Sequence, residues 1–130
     1  MVLMADLLSE SLNKIKIYEN LGREECTVAS TRLVRNVLST LKQNGYVNGI
    51  EEFQDGRFKS LKISLANKIN NIGAVKPRHA VKVDEYQKYE NRYIPSKDFG
   101  LLIMSTPAGI MSNRDAKERH MGGRLLAYVY

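Results

Sequence analysis

Leu8, Leu12 and Ile15 recur at i, i+4 and i+7, a spacing that lines one face of an α-helix and predicts a helix from about Ala5 to Leu21. Gly22 is its expected stop. Thr27-Val28-Ala29 suits a short strand. Ser30 or Thr31 then caps a second helix ending near Gly45, with Leu33, Val34, Val37, Leu38 and Leu41 facing inward. Two strands follow. Ile50–Phe53 leads into Asp55-Gly56, a strong hairpin signal, and the return strand alternates Leu61, Ile63 and Leu65 with Lys62 and Ser64.

Asn67-Lys68-Ile69-Asn70-Asn71-Ile72-Gly73 interrupts this pattern. It divides the chain into an N-terminal α/β domain, residues 1–68, and a C-terminal α+β domain, residues 69–130. In the second, Ala74–Val75 and Val81–Val83 read as short strands and Asp84–Glu90 as one or two helical turns. Leu101-Leu102-Ile103-Met104 is an unbroken apolar run of strand length, which predicts burial on both faces. Ser105-Thr106-Pro107-Ala108-Gly109 then reads as a tight strand-to-helix loop. Ser112-Asn113-Arg114-Asp115 has the form of a capping box and should start a helix through about Met121, closed by Gly122-Gly123. Leu125–Tyr130 reads as a last strand. The expected class is α+β, without internal repeats or low-complexity segments.

Charge adds a functional dimension to this layout. The net charge is +6, and it is uneven: residues 1–66 hold nine Lys/Arg against eight Asp/Glu, residues 67–130 eleven against six. A basic excess concentrated in one half is the footprint expected of a nucleic-acid binder, although a solvated basic surface has the same composition. Cys26 is the sole cysteine, so no internal disulfide is expected. The longest apolar stretches fall far short of the ~20 residues a membrane-spanning helix needs. Met1–Ala5 is apolar but is interrupted by Asp6 and lacks a preceding basic segment, so the expectation is a cytoplasmic chain without a signal peptide.

Two stretches could carry chemistry. At Ser105–Gly109, adjacent hydroxyls and a glycine would offer donors, acceptors and bare backbone at one corner, suited to base edges, 2′-hydroxyls and phosphates. The same residues are equally those of a plain turn. At Gly122-Gly123-Arg124, two glycines permit close backbone approach and Arg124 supplies a planar phosphate-binding fork, yet Gly122 alone could serve as the left-handed residue ending a helix.

The string Ser105-Thr106-Pro107-Ala108-Gly109-Ile110-Met111, then Ala116, then Gly122-Gly123-Arg124-Leu125-Leu126-Ala127-Tyr128-Val129-Tyr130, resembles the family of small-subunit ribosomal protein eight. Lys76-Pro77-Arg78 and Ile94-Pro95-Ser96-Lys97-Asp98-Phe99-Gly100 resemble its archaeal and eukaryotic branch. Asn44-Gly45-Tyr46, Asp6 and Leu12-Asn13 extend the similarity over nearly the whole chain. The resemblance implies a two-domain α+β protein that binds the central domain of small-subunit ribosomal RNA at a helix with an irregular internal loop, helps assemble the platform, and neighbours other small-subunit proteins. In the family the stretch matched by Ser105-Thr106 sets hydroxyls against bases and sugars. Gly109, Gly122 and Gly123 bring backbone near the RNA, and the start of the second helix, matched by Thr31 and Arg32, touches it as well. Arg78, Pro107 and Arg124 complete the expected RNA-binding set. Four matches depart from the family pattern, the first being Asp6-Leu7 where the family opens with Asp-Pro. Pro107 replaces a hydroxyl residue, His79 stands in an aromatic slot, and Thr31-Arg32 replaces Ser-Lys.

His79, His120 and Cys26 have no metal-ligand spacing, and there is no Ser/His/Asp order, nucleotide-binding glycine loop or carboxylate pair. The expectation is therefore no metal, no cofactor, no small-molecule substrate and no catalysis. A phosphate-handling enzyme using Ser105–Gly109 as an anion cradle lacks a base or nucleophile. The other alternative is a winged-helix-like DNA-binding regulator, whose recognition helix would expose Arg32, Arg35, Asn36 and Lys42. The near-neutral first half supports it poorly.

Overall fold

A computed structural model describes residues 7–76, 78–96 and 99–130, with backbone alone at Asp55 and Phe58. The expected helix start at Ala5, the Asp6 match, Pro77 and Lys97-Asp98 lie outside the described residues. The described chain forms two compact units, one ending at Ile69 and the other starting at Asn70. The architecture is α+β, with helices and antiparallel sheets in both units.

In the first unit, α1 (Leu7–Asn20) buries Leu8, Leu12 and Ile15, the stripe its periodicity predicts. Gly22, at φ +72°, lies just beyond it. Strand β1 (Glu25–Ala29) precedes α2 (Arg32–Gln43), which buries Val34, Val37, Leu38 and Leu41, while Leu33 is only half-buried. β2 (Val47–Asp55) and β3 (Phe58–Leu65) complete an antiparallel sheet in the order β1-β3-β2. Pairing of Asp55 with Phe58 leaves Gly56-Arg57 as the hairpin loop, so Asp55 ends the strand instead of opening the turn. Cys26 and Val28 pair with Ile63 and Leu61, and all four are buried. Burial raises the pKa of the Cys26 thiol, with Lys14 acting against the shift. Cys26 is thus a small core residue.

The second unit contains β4 (Ile72–Ala74), β5 (Ala80–Val81), α3 (Tyr86–Tyr93), β6 (Leu101–Thr106), β7 (Gly109–Ser112), α4 (Asn113–Glu118) and β8 (Gly123–Val129). Its sheet runs β4-β8-β6-β7, and β5 also pairs with β8. Leu102, Met104, Met111 and Leu125 bury one face, with Tyr86 and Tyr89 of α3 and Ala116 of α4. Burial of each of these leucine and methionine side chains stabilises by roughly 1.5–3 kcal/mol relative to leaving it in water.

Two sequence expectations change here. Ser105–Gly109 is not a strand-to-helix loop. Ser105 and Thr106 finish β6, Pro107-Ala108 is the turn, and Gly109 starts β7, a return strand too short for its pattern to show. The following helix also stops at Glu118 instead of Met121. Its left-handed residue is His120, at φ +54°, and not Gly122. Met121 N–H donates to the Ala116 carbonyl and His120 N–H to that of Lys117, the paired bonds of a Schellman ending. At the other end the Ser112 hydroxyl accepts from Asp115 N–H at 3.3 Å, as the capping box predicts.

A buried polar network ties α3, α4 and β6 together. Glu90, 3% exposed, accepts hydrogen bonds from Asn113 Nδ2 and from Lys117 Nζ at 2.6 Å. Asn113 Oδ1 in turn accepts from Leu102 N–H at 3.1 Å. Glu90→Ala leaves Asn113 without its acceptor, while Lys117 can turn to water. We expect a loss of about 2 kcal/mol, read as a lower denaturation midpoint at unchanged m.

Tyr86 donates to the Met121 carbonyl at 2.6 Å. Burial, reinforced by the Glu90 charge, raises its pKa. A phenol with a raised folded-state pKa contributes stability that is fully present below its unfolded value, near 10, and lost as pH climbs through the folded value. Tyr86→Phe should flatten that alkaline loss in stability measured against pH.

Candidate nucleic-acid interface

The register of the second sheet brings separated residues into one row. Arg124 of β8 lies opposite Ser105 of β6 and Ala80 of β5, and Ser105 lies opposite Ile110 of β7. Their sequence neighbours Met104, Met111 and Leu125 belong to the core, so strand alternation turns Arg124, Ser105 and Ile110 to the other face. Arg124 and Ala80 are exposed, Ser105 and Ile110 half-buried.

Arg124 Nη1 donates to the Arg78 carbonyl at 3.3 Å, which ties the exposed Arg78 segment to the row. Arg124 has no carboxylate partner among the described residues. The Ser105 hydroxyl likewise makes no side-chain hydrogen bond among them. It therefore offers both a donor and an acceptor.

Thr106 is placed differently. It points to the opposite face, is 9% exposed, and its hydroxyl donates to the Gly109 carbonyl at 2.7 Å while accepting from Ala108 N–H at 3.2 Å. That hydroxyl clips the hairpin shut. Pro107, Ala108 and Gly109 are exposed at the tip. Gly109 has φ +120°, and the space its Cβ would occupy is open, so bare backbone faces outward there.

Gly122 and Gly123 have a reason internal to the fold. A Cβ on Gly122 would meet the Val81 carbonyl oxygen at 2.5 Å, and one on Gly123 would run into that of Ser105. Glycine at both positions lets β8 enter tightly between β5 and β6.

Thr31 and Arg32 belong to the first unit. Thr31 caps α2, its hydroxyl accepting from Val34 N–H at 3.2 Å, and Arg32 is exposed at the first helical position. The structure thus assembles Arg78, Ser105, Arg124 and the 107–109 tip on one unit. Sequence reasoning missed Ala80 and Ile110, which enter the row only through strand pairing. It also missed the contact of His79 with Tyr89, 5.5 Å between ring centroids, in the slot where the family pattern has an aromatic residue.

Among the described residues, no three His, Cys, Asp or Glu side chains gather around a common point suited to a metal ion. No described helix is long and apolar enough to cross a membrane.

Residues 6–130 match the family described as Ribosomal protein S8. Over 126 residues the chain is 42% identical to Small ribosomal subunit protein uS8 of Archaeoglobus fulgidus, an alignment covering 96% of this chain and 98% of that protein. A match of this extent, including the 105–111 and 122–130 stretches that build the row, makes the chain a member of the ribosomal protein S8 family.

Proposed function

We propose that this chain grips an irregular internal loop in the central domain of small-subunit ribosomal RNA with the Arg124–Ser105–Ile110 row and the neighbouring hairpin tip, and so helps assemble the platform. As a family member it is a structural, non-enzymatic component of the small subunit, located in the cytoplasmic ribosome. Ribosomal RNA and neighbouring ribosomal proteins are its partners. The observation that carries the finer reading is the row itself, where, among the described residues, an unengaged hydroxyl stands beside an exposed arginine without a carboxylate partner.

Each group has a distinct role. Arg124 and Arg78 meet phosphates, and the Arg124 guanidinium also offers a planar fork. Ser105 bonds a 2′-hydroxyl or base edge, and Gly109 lets backbone approach the nucleotide. Pro107 holds the tip rigid, without an N–H to donate. Thr106, Gly122 and Gly123 act by holding this surface in shape. Thr31 and Arg32 form a second contact, where the N-terminus of a 12-residue helix and an exposed guanidinium both attract phosphate. In this reading residues 69–130 are the principal RNA-binding domain.

The DNA-binding alternative loses one of its few cations. Arg35, on the face that would enter a groove, is 3.4 Å from the Glu52 carboxylate.

Chemical footprinting of small-subunit RNA is the direct test, and an unprotected central domain with intact protein would refute the reading. Ser105→Ala should weaken binding of a central-domain fragment by roughly 1–3 kcal/mol and leave the circular dichroism melt unchanged. Thr106→Val should act the other way round, costing about 1 kcal/mol of stability through the lost hairpin clip. Arg124→Ala should lower the slope of log affinity against log salt by about one unit, and an unchanged slope removes Arg124 from the phosphate contacts.

A further inference from the structure

Four aromatic rings of the second unit stand in file. Tyr93 and Tyr128 are 5.7 Å apart between centroids and 21° from parallel. Tyr128 and Tyr130 follow at 6.4 Å and 22°, and Phe99 meets Tyr130 at 6.5 Å and 49°. One end is already occupied, by the Arg92 guanidinium 5.4 Å from the Tyr93 centroid. The other end is Phe99, which is 51% exposed.

The backbone is shaped to present that ring. Gly100 has φ +102°, and a Cβ there would meet the Val129 carbonyl oxygen at 2.7 Å and Tyr130 Cβ at 2.8 Å. Only glycine lets the chain fold Phe99 this closely against the end of β8. The Gly100 carbonyl accepts from Arg114 Nη2 at 3.3 Å, which holds a second guanidinium at the backbone of the residue after Phe99. Phe99 is absent from the buried core cluster, so the file extends outward beyond the packed interior.

We propose that Phe99 is a stacking platform for an unpaired RNA base, with Arg114 meeting the adjoining phosphate. This rests on the RNA-binding reading above and adds a contact on the core-side face, opposite Ser105. Every base has a π face, so stacking tolerates sequence. Arg92 stands at one end of the file and Arg114 is held at the residue after Phe99, and both are cations. That charge suits a polyanion carrying planar groups and repels the basic segment of another RNA-binding protein.

The test uses the full chain and a short oligoadenylate containing 2-aminopurine. Wild type should quench the probe. Phe99→Leu should weaken binding roughly tenfold with an unchanged salt slope, because stacking releases no counterions. The chain has no tryptophan, so Phe99→Trp adds a single indole whose fluorescence should fall as the base stacks on it. The proposal is overturned if wild type does not quench the probe, or if the Phe99→Trp indole is unaffected by bound oligoadenylate. It is also overturned if folded Phe99→Leu binds as wild type. Failure of wild type on the central-domain fragment as well would bring down the underlying reading, whereas retained fragment binding confines the failure to Phe99.

Discussion

The interface depends on how closely the start of β8 is held between two other strands. Paired strands run about 4.8 Å apart, and a side chain normally projects above or below the sheet without meeting the neighbouring backbone. At Gly122 and Gly123 the approach is tighter, with the Val81 carbonyl on one side and the Ser105 carbonyl on the other. No β-carbon fits at either position. Arg124, the next residue, is therefore delivered to a fixed point opposite both Ala80 and Ser105. A change in pairing between Ile103 and Met104 then adjusts the register, so that Leu125 lies opposite Met104 in the core while Arg124 stays outside. The glycines do their work inside the sheet, and the residues they position are the ones proposed to meet RNA.

The polar network around Glu90 anchors β6, one of the strands that flank β8. A buried carboxylate is costly unless paired and hydrogen-bonded. Here Lys117 supplies charge, Asn113 supplies an amide, and the other end of that amide reaches the Leu102 backbone. One carboxylate thereby connects α3, α4 and the start of the β6–β7 hairpin. A purely apolar contact would bury the same faces with less constraint on register.

Much of this was readable from sequence where the signal was periodic and local. The α1 and α2 stripes, the alternation in β3 and the apolar run of β6 each report burial through spacing alone. The 105–111 and 122–130 stretches were enough to suggest the family. What stayed hidden depends on partners remote in sequence. β7 is four residues long and shows itself only by pairing with β6. The reason for Gly122 lies at Val81 and that for Gly123 at Ser105, so both could be read as a helix stop or a ligand approach. His120 takes the left-handed position that sequence rules give first to glycine, a conformation to which histidine is more tolerant than most residues.

The division of labour between Ser105 and Thr106 explains how this chain accommodates Pro107. Adjacent strand residues face opposite ways, so the two hydroxyls cannot form one patch, and the structure spends that of Thr106 on the turn. Thr-Pro-Ala-Gly is also a residue order that a type I turn favours, with proline second and glycine fourth. The missing proline N–H costs no ladder bond, since residue 107 lies outside the paired strands. Proline thus stiffens the tip at no expense to the sheet. It also removes a possible donor, which places the proposed recognition on the Ser105 hydroxyl, the open Gly109 backbone and the Arg124 fork.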